Sequence, residues 1–321
     1  MEMDYFADII GQERVLGVLR QALSTGRMSH AYLFSGPPGV GKMTTALAWA
    51  RTIIMSSDPQ GEIYWREGIH PDFLLIEKAP KKTLIGIEQI NREMEPWLAL
   101  KPYRAGHRVV VINQAHLMSL PAANALLKTL EEPPAHAVII LTVEDQRVLE
   151  TILSRCQLVR FAPVSEAGIR SLLEQRGIAE NQARQIARLS QGSIAAAVQW
   201  AEEGVFDQII PGARDRIRAM QTGTDLEVFR CAEEMEKHPL LLVGLYTAML
   251  RDILVLQNTG QADLLILEDN RDYYSQLKSV DTVKSKACLQ KIDELSRQFR
   301  GPANPLLLSI NISYLLRDAL K

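Results

Sequence analysis

Gly36-Pro37-Pro38-Gly39-Val40-Gly41-Lys42 stands between a short apolar run, residues 31–34, and a helical stretch through Ala46, Leu47 and Ala50. Strand before and helix after is the setting a phosphate-binding loop needs. Glycines let backbone N–H groups turn toward phosphate oxygens, the helix N-terminus adds partial positive charge, and Lys42 reaches the outer phosphates. Gly36, Gly39, Gly41 and Lys42 are therefore the candidate cradle. The next position, whose hydroxyl holds magnesium in a complete loop, is Met43. Thr44 comes one residue late, and one step along a helix turns a side chain by about 100°, which predicts that Thr44 faces away from the metal. A thioether is a poor ligand for a hard cation. The loop reads as a degenerate cradle without its magnesium ligand.

Around this loop the first half alternates apolar runs with helical patterns. Residues 12–25 put Val15, Leu16, Leu19 and Leu23 on one helical face, with Gly26 as a stop. The runs at 31–34, 73–76, 109–112, 138–141 and 158–161 are continuous rather than alternating. That predicts a parallel five-stranded α/β sheet covered on both faces. Residues 122–130 form a helix that Pro133 and Pro134 prevent from continuing. After Pro163 the strand signal disappears. Short helices at 165–176, 181–189 and 194–203 suggest a three-helix unit, and from about Phe206 the chain is helical throughout, with a capping box at Thr224–Glu227, helix starts at Pro239 and Pro305, and Asn304 as a cap. Residues 257–274 read as a loop with a short helix. The domain organisation is 1–163, 164–205 and 206–321.

Composition sets limits. The chain has 321 residues, 47% of them hydrophobic, and 36 basic against 38 acidic side chains for a formal charge of -2. Such balance argues against a basic nucleic-acid binder acting alone, and sparse aromatics argue against a stacking platform. Cys156, Cys231 and Cys288 lie far apart, as in a reduced cytosolic protein. The N-terminus has no signal-peptide pattern. The most apolar stretch, 239–256, carries Arg251 and Asp252 and falls short of the roughly 20 residues a bilayer requires. The expected protein is soluble and cytoplasmic, with no membrane partner.

A hydrolysing site also needs an apolar strand ending in Asp-Glu, the first to hold magnesium and the second to activate water. Residues 109–112 are such a strand, but Asn113-Gln114-Ala115-His116 follow, so both carboxylates are replaced by neutral amides. His116 reads as a structural neighbour rather than the base. A third element is Ser154-Arg155-Cys156, just before the last strand. An arginine at the edge of such a domain can act in trans on a neighbour's γ-phosphate.

These elements lie in a specific setting. Ser29-His30-Ala31-Tyr32-Leu33-Phe34 leads into the loop, His70-Pro71-Asp72 follows it, and the run from Ala122-Ala123-Asn124-Ala125-Leu126-Leu127 through Lys128-Thr129-Leu130-Glu131-Glu132 to Pro133-Pro134 precedes Thr151-Ile152-Leu153-Ser154-Arg155-Cys156-Gln157. Over most of residues 8–163 the chain resembles the clamp-loader branch of the AAA+ ATPases, and within it the delta-prime type of subunit of bacterial DNA polymerase III. The resemblance implies an AAA+ P-loop domain, a three-helix lid and a helical collar. It implies a hetero-pentamer with gamma/tau and delta subunits, in which gamma or tau hydrolyses ATP, and contact with primed DNA and the sliding clamp through the complex. It also implies that Arg155 is the finger acting in trans, with Ser154 and Cys156 placing it by packing. Gly192-Ser193-Ile194-Ala195 puts alanine where hydrolysing relatives carry a lid arginine.

Many relatives carry a four-cysteine zinc module between the loop and His-Pro-Asp. Residues 43–70 contain no cysteine, so no zinc is expected, and 56–68, with Tyr64 and Trp65, reads as a short surface excursion. No cofactor is required on this reading, and weak ATP or ADP binding is left open because Gly41-Lys42 is retained. The expectation is a subunit with no ATPase activity of its own. The competing reading is an active AAA+ ATPase, a gamma/tau-type loader or a branch-migration helicase, in which Thr44 replaces the missing hydroxyl and Gln114 or His116 the missing Glu. A third is a nucleotide-responsive adaptor. Positive charge at Lys81, Lys82 and residues 101–108 gives a candidate but weak DNA face.

Overall fold

The computed structural model describes residues 4–80, 82–144, 149–202, 204, 208–222, 225–301 and 303–321. Lys81, Thr224 of the expected capping box and the expected boundary at 205/206 lie outside them. The chain forms two compact units, residues 1–165 with 193–195, and residues 166–192 with 196–321.

In the first unit the elements run α1 (Glu13–Ser24), β1 (Ala31–Gly36), α2 (Lys42–Met55), α3 (Glu62–Arg66), β2 (Phe73–Ile76), α4 (Glu95–Ala99), β3 (Arg108–Ile112), α5 (Leu120–Glu131), β4 (Ala137–Glu144), α6 (Glu150–Leu153) and β5 (Gln157–Arg160). The five strands are parallel in the order β2-β3-β4-β1-β5. The α/β sheet expected from the continuous apolar runs is therefore present. The central runs, in β1, β3 and β4, are apolar because both sides are covered, while the edge strands β2 and β5 are partly exposed. Tyr32, Phe34, Val109, Val111, Val138 and Ile140 pack on one face against Leu19, Trp49 and Ile53 of the first two helices. Their neighbours Ala31, Leu33, Val110, Ile112, Ile139 and Leu141 face the other way, onto Ile90, Met94, Leu126 and Leu130. Successive strand side chains point to opposite faces, so one run of four or five residues fills two cores. β1 lies between β4 and β5, which places the loop after it at the carboxyl ends of the central strands, where open α/β sheets bind ligands.

The excursion between α2 and β2 is tied down by ion pairs. Arg104 Nε donates to Asp58 Oδ2 at 2.7 Å, His70 Nε2 lies 3.4 Å from the same oxygen, and Arg51 pairs with Glu62. The Arg104 guanidinium holds the Asp58 carboxyl below its usual range. Trp65 packs on Phe73 with ring centroids 4.6 Å apart. Two of the basic residues considered for DNA are thus structural. Arg104 serves Asp58, and Arg108 is buried, donating to the carbonyls of Trp97 and Lys101.

The second unit contains α7 (Glu166–Gln175), α8 (Glu180–Leu189), most of α9 (Ile194–Glu202), α10 (Ile210–Thr222), α11 (Asp225–Lys237), α12 (Pro239–Thr259), α13 (Arg271–Ser275), α14 (Thr282–Ser296) and α15 (Pro305–Leu320). Asn304 caps α15 by accepting the Leu307 N–H at 3.2 Å. The apolar stretch runs further than expected. α12 has 21 residues and by length and composition could cross a membrane. In the fold it is a core helix. Leu245, Tyr246 and Met249 are buried, and so is Asp252, whose carboxylate accepts the N–H groups of Ile266 and Leu267 at 2.9 and 2.8 Å. Burial raises the Asp252 pKa, and the two amides and Arg251 oppose that shift.

Candidate functional site

The phosphate loop is shaped by backbone that only glycine adopts without strain. Gly39 and Gly41 have φ of 73° and 94°, and Gly41 is the N-cap of α2. A Cβ on Gly39 would also strike the Ser193 hydroxyl and approach the Ala195 Cβ to 3.1 Å. Ala195 N–H donates to the Gly39 carbonyl at 3.1 Å, so the start of α9 is stitched to the loop. Lys42 is buried, and its Nζ donates to the Gly36 and Pro37 carbonyls at 2.7 and 2.5 Å. The ammonium is therefore already inside the loop, held by acceptors that an anionic ligand can replace.

Above it lies a cavity of about 340 Å³, within the range of small-ligand pockets. Gly39, Gly41, Lys42, Met43, Thr44, Asn113, Gln114, His116, Thr142, Glu144 and Ala195 all line it. The strand-end residues arrive there through the sheet, since β3 and β4 pair in register and both end beside the loop. Asn113 bridges two strands. Its Nδ2 donates to Glu77 Oε1 at 2.7 Å, and its Oδ1 accepts from the Thr142 hydroxyl at 2.7 Å. Gln114 is one of two non-glycine residues with positive φ among those described, at 53°. Its N–H donates to Thr142 Oγ1 at 2.9 Å, which supports a backbone conformation such residues seldom adopt. Glu144 N–H donates to His116 Nδ1 at 3.3 Å, leaving the proton of a neutral ring on Nε2.

Met43 and Thr44, successive residues in the first turn of α2, both line this cavity. Glu144 was missed altogether. It ends β4, and the pairing of β4 with β1 sets it opposite Gly36, beside the cradle.

Arg155 does not line this cavity. It follows α6, with its side chain one-third exposed, and donates through Nη1 to the Thr151 carbonyl at 2.9 Å and the Ser154 hydroxyl at 3.2 Å. Its Nη2 donates to Glu131 Oε1 at 2.7 Å. Cys156 packs against the core, and burial pushes its thiol up to about 12. Cys231 and Cys288 are raised by burial to about 11 and about 12. All three should stay protonated in the fold while unfolded thiols ionise near 9, so they favour the fold below pH 9 and that contribution declines between about pH 9 and 12. A thiolate absorbance titration should show no ionisation in the native protein below pH 10. A native thiolate signal at pH 8 would contradict the burial.

Residues 11–165 match the family described as DNA polymerase III, delta subunit. The chain is 32% identical over 213 residues to DNA polymerase III subunit tau of Bacillus subtilis, covering 64% of this chain and 36% of that protein. It is 33% identical over 216 residues to subunit gamma of Buchnera aphidicola, covering 63% and 59%. The chain thus spans between about a third and three-fifths of the length of these relatives. A gamma subunit-related protein of Thermotoga maritima shares the fold, with a TM-score of 0.52 at 19% identity over 94% of this chain and 99% of that one. The relatives reported are gamma and tau subunits rather than delta-prime. That overturns the expectation of a chain without ATPase activity, since gamma and tau are the hydrolysing members of the family the motifs resemble.

Proposed function

With residues 11–165 related to the clamp-loader subunits of DNA polymerase III, we propose that the whole chain is a cytoplasmic AAA+ clamp-loader subunit of the gamma/tau type. It takes ATP in the cavity above Lys42 and presents Arg155 to the nucleotide of a neighbouring subunit. Residues 164–205 act as its lid and 206–321 as its collar, in a complex with other gamma/tau and delta subunits that places the sliding clamp on primed DNA. No zinc is needed, because ion pairs at Asp58, Arg104 and Glu62 hold the excursion together.

One observation carries the ATP-using reading. The residues an active ATPase would need as replacements, Thr44, Gln114 and His116, all line one cavity with Lys42 and Glu144. ATP brings magnesium with it. Thr44 and Glu144 are the oxygen donors that suit this hard cation, and the thioether of Met43 is not. Gln114, which lines the same cavity, would orient a water by hydrogen bonding. Lys42 contributes charge to the outer phosphates once they displace the Gly36 and Pro37 carbonyls.

Arg155 supplies the other half. A side chain outside its own chain's cavity, anchored on one side and partly exposed on the other, suits a donor in trans. Calorimetric titration with magnesium ATP tests the cradle. The wild-type chain should bind at a single site, and Lys42→Ala should weaken binding at least ten-fold. Equal affinity in the two proteins would sink the nucleotide reading.

A further inference from the structure

We infer that Glu131 is the positioning residue of the trans-acting arginine, an inference that rests on the reading of Arg155 as that arginine. Glu131 is the last residue of α5. Aligned peptide dipoles leave the C-terminal end of a helix partly negative, so a carboxylate there is unfavourable unless a cation compensates it. Glu132 adds a second negative charge at the same end. Lys128 lies in the same last turn, and the cation that contacts Glu131 itself is Arg155, whose Nη2 donates to Glu131 Oε1 at 2.7 Å. The pair joins two elements that are 24 residues apart in the chain.

The remaining contacts show what the pair does to the guanidinium. Nη1 is held by the Thr151 carbonyl and the Ser154 hydroxyl, and that hydroxyl itself donates to the Thr151 carbonyl at 3.0 Å. Glu131 is the anchor from outside the α6 turn. Without it the group can swing about its Nη1 contacts. With it, three donors are fixed in one plane, and the Nε–H and the second Nη2 proton take no part in these bonds. A planar fork fixed along one edge can meet a phosphate with the other.

The test uses the reconstituted clamp-loader complex with Glu131→Ala, Glu131→Gln, Arg155→Ala and the double variant Glu131→Ala/Arg155→Ala. Misplacing a reacting group by about 1 Å can cost on the order of 100-fold, and a loosened finger still samples the right place. Glu131→Ala should therefore lower kcat on the order of ten-fold with KM for ATP unchanged, and Glu131→Gln, which keeps an acceptor, should lose less. In the Arg155→Ala background Glu131→Ala should cause no further loss. Full kcat in Glu131→Ala, beside a large loss in Arg155→Ala, would overturn the positioning role alone. So would an equal loss with and without Arg155, which is what a merely structural role produces. An Arg155→Ala complex with wild-type turnover would instead remove the finger itself. Circular dichroism melts of each variant chain show whether the fold is intact.

Discussion

Replacing Arg155 with alanine should lower ATP turnover of the assembled complex by about 10³-fold at the site it serves. The size follows from the chemistry. Charge shifts onto the oxygens of the transferring phosphoryl group as the bond to the leaving group breaks, and a guanidinium brought against it in a dry interface stabilises that charge far more than water does. Arg155 does not line its own chain's cavity, so on the proposed trans role the affected nucleotide is the neighbour's. A chain carrying Arg155→Ala should therefore bind ATP and join the complex like wild type. Pre-steady-state measurement of phosphate release, with only the neighbouring subunit able to turn over, separates that site from the others. Turnover within two-fold of wild type would remove Arg155 from the mechanism.

The second large effect concerns stability. Asp72→Ala should destabilise the first unit by about 3–5 kcal/mol, the cost of breaking a buried charged network. Asp72 is fully buried and accepts the N–H groups of Tyr103, Arg104 and Ala105 at 2.7, 2.7 and 2.8 Å. Its Oδ1 also lies 3.7 Å from Nε of the buried Arg108. Alanine orphans three amides and leaves the guanidinium without its counter-charge. Asp72→Asn keeps acceptor oxygen but loses the charge, and should cost about 1–3 kcal/mol. Urea unfolding followed by Trp97 and Trp65 fluorescence measures both. A midpoint for Asp72→Ala within experimental error of wild type would show that the loop 103–105 does not depend on this carboxylate.

The His-Pro-Asp motif was legible in the sequence as a pattern, but this role of Asp72 was not. Three amides converge on it from a loop about 30 residues later in the chain, and spacing does not report that. The sheet was far more legible. Its three central strands are largely apolar and buried on both sides, so composition marks them. The phosphate loop was equally plain from its glycines between strand and helix, and Gly39 and Gly41 do adopt positive φ.

What the sequence hid at the site depends on strand register. Asn113 looked like a lost carboxylate, and the structure shows what it gains by being an amide. It donates to Glu77 while accepting from Thr142, whereas an aspartate there would face the Glu77 carboxylate. Glu144 lay beyond the apolar run 138–141, and only the pairing of β1 with β4 sets it beside the loop. Read one residue at a time, Met43, Asn113 and Gln114 suggested a dead site. In the assembled wall Thr44 and Glu144 line the same cavity as these three residues.

On the function proposed above, this chain uses ATP in the cavity above Lys42. Phosphate release by the purified chain, with and without magnesium, beside the Lys42→Ala chain, tests that use. Lacking a trans arginine, the isolated chain should turn over slowly, but with magnesium it should exceed the Lys42→Ala background and without magnesium it should not. A wild-type chain that binds ATP yet releases no more phosphate than Lys42→Ala at any magnesium concentration would contradict the account.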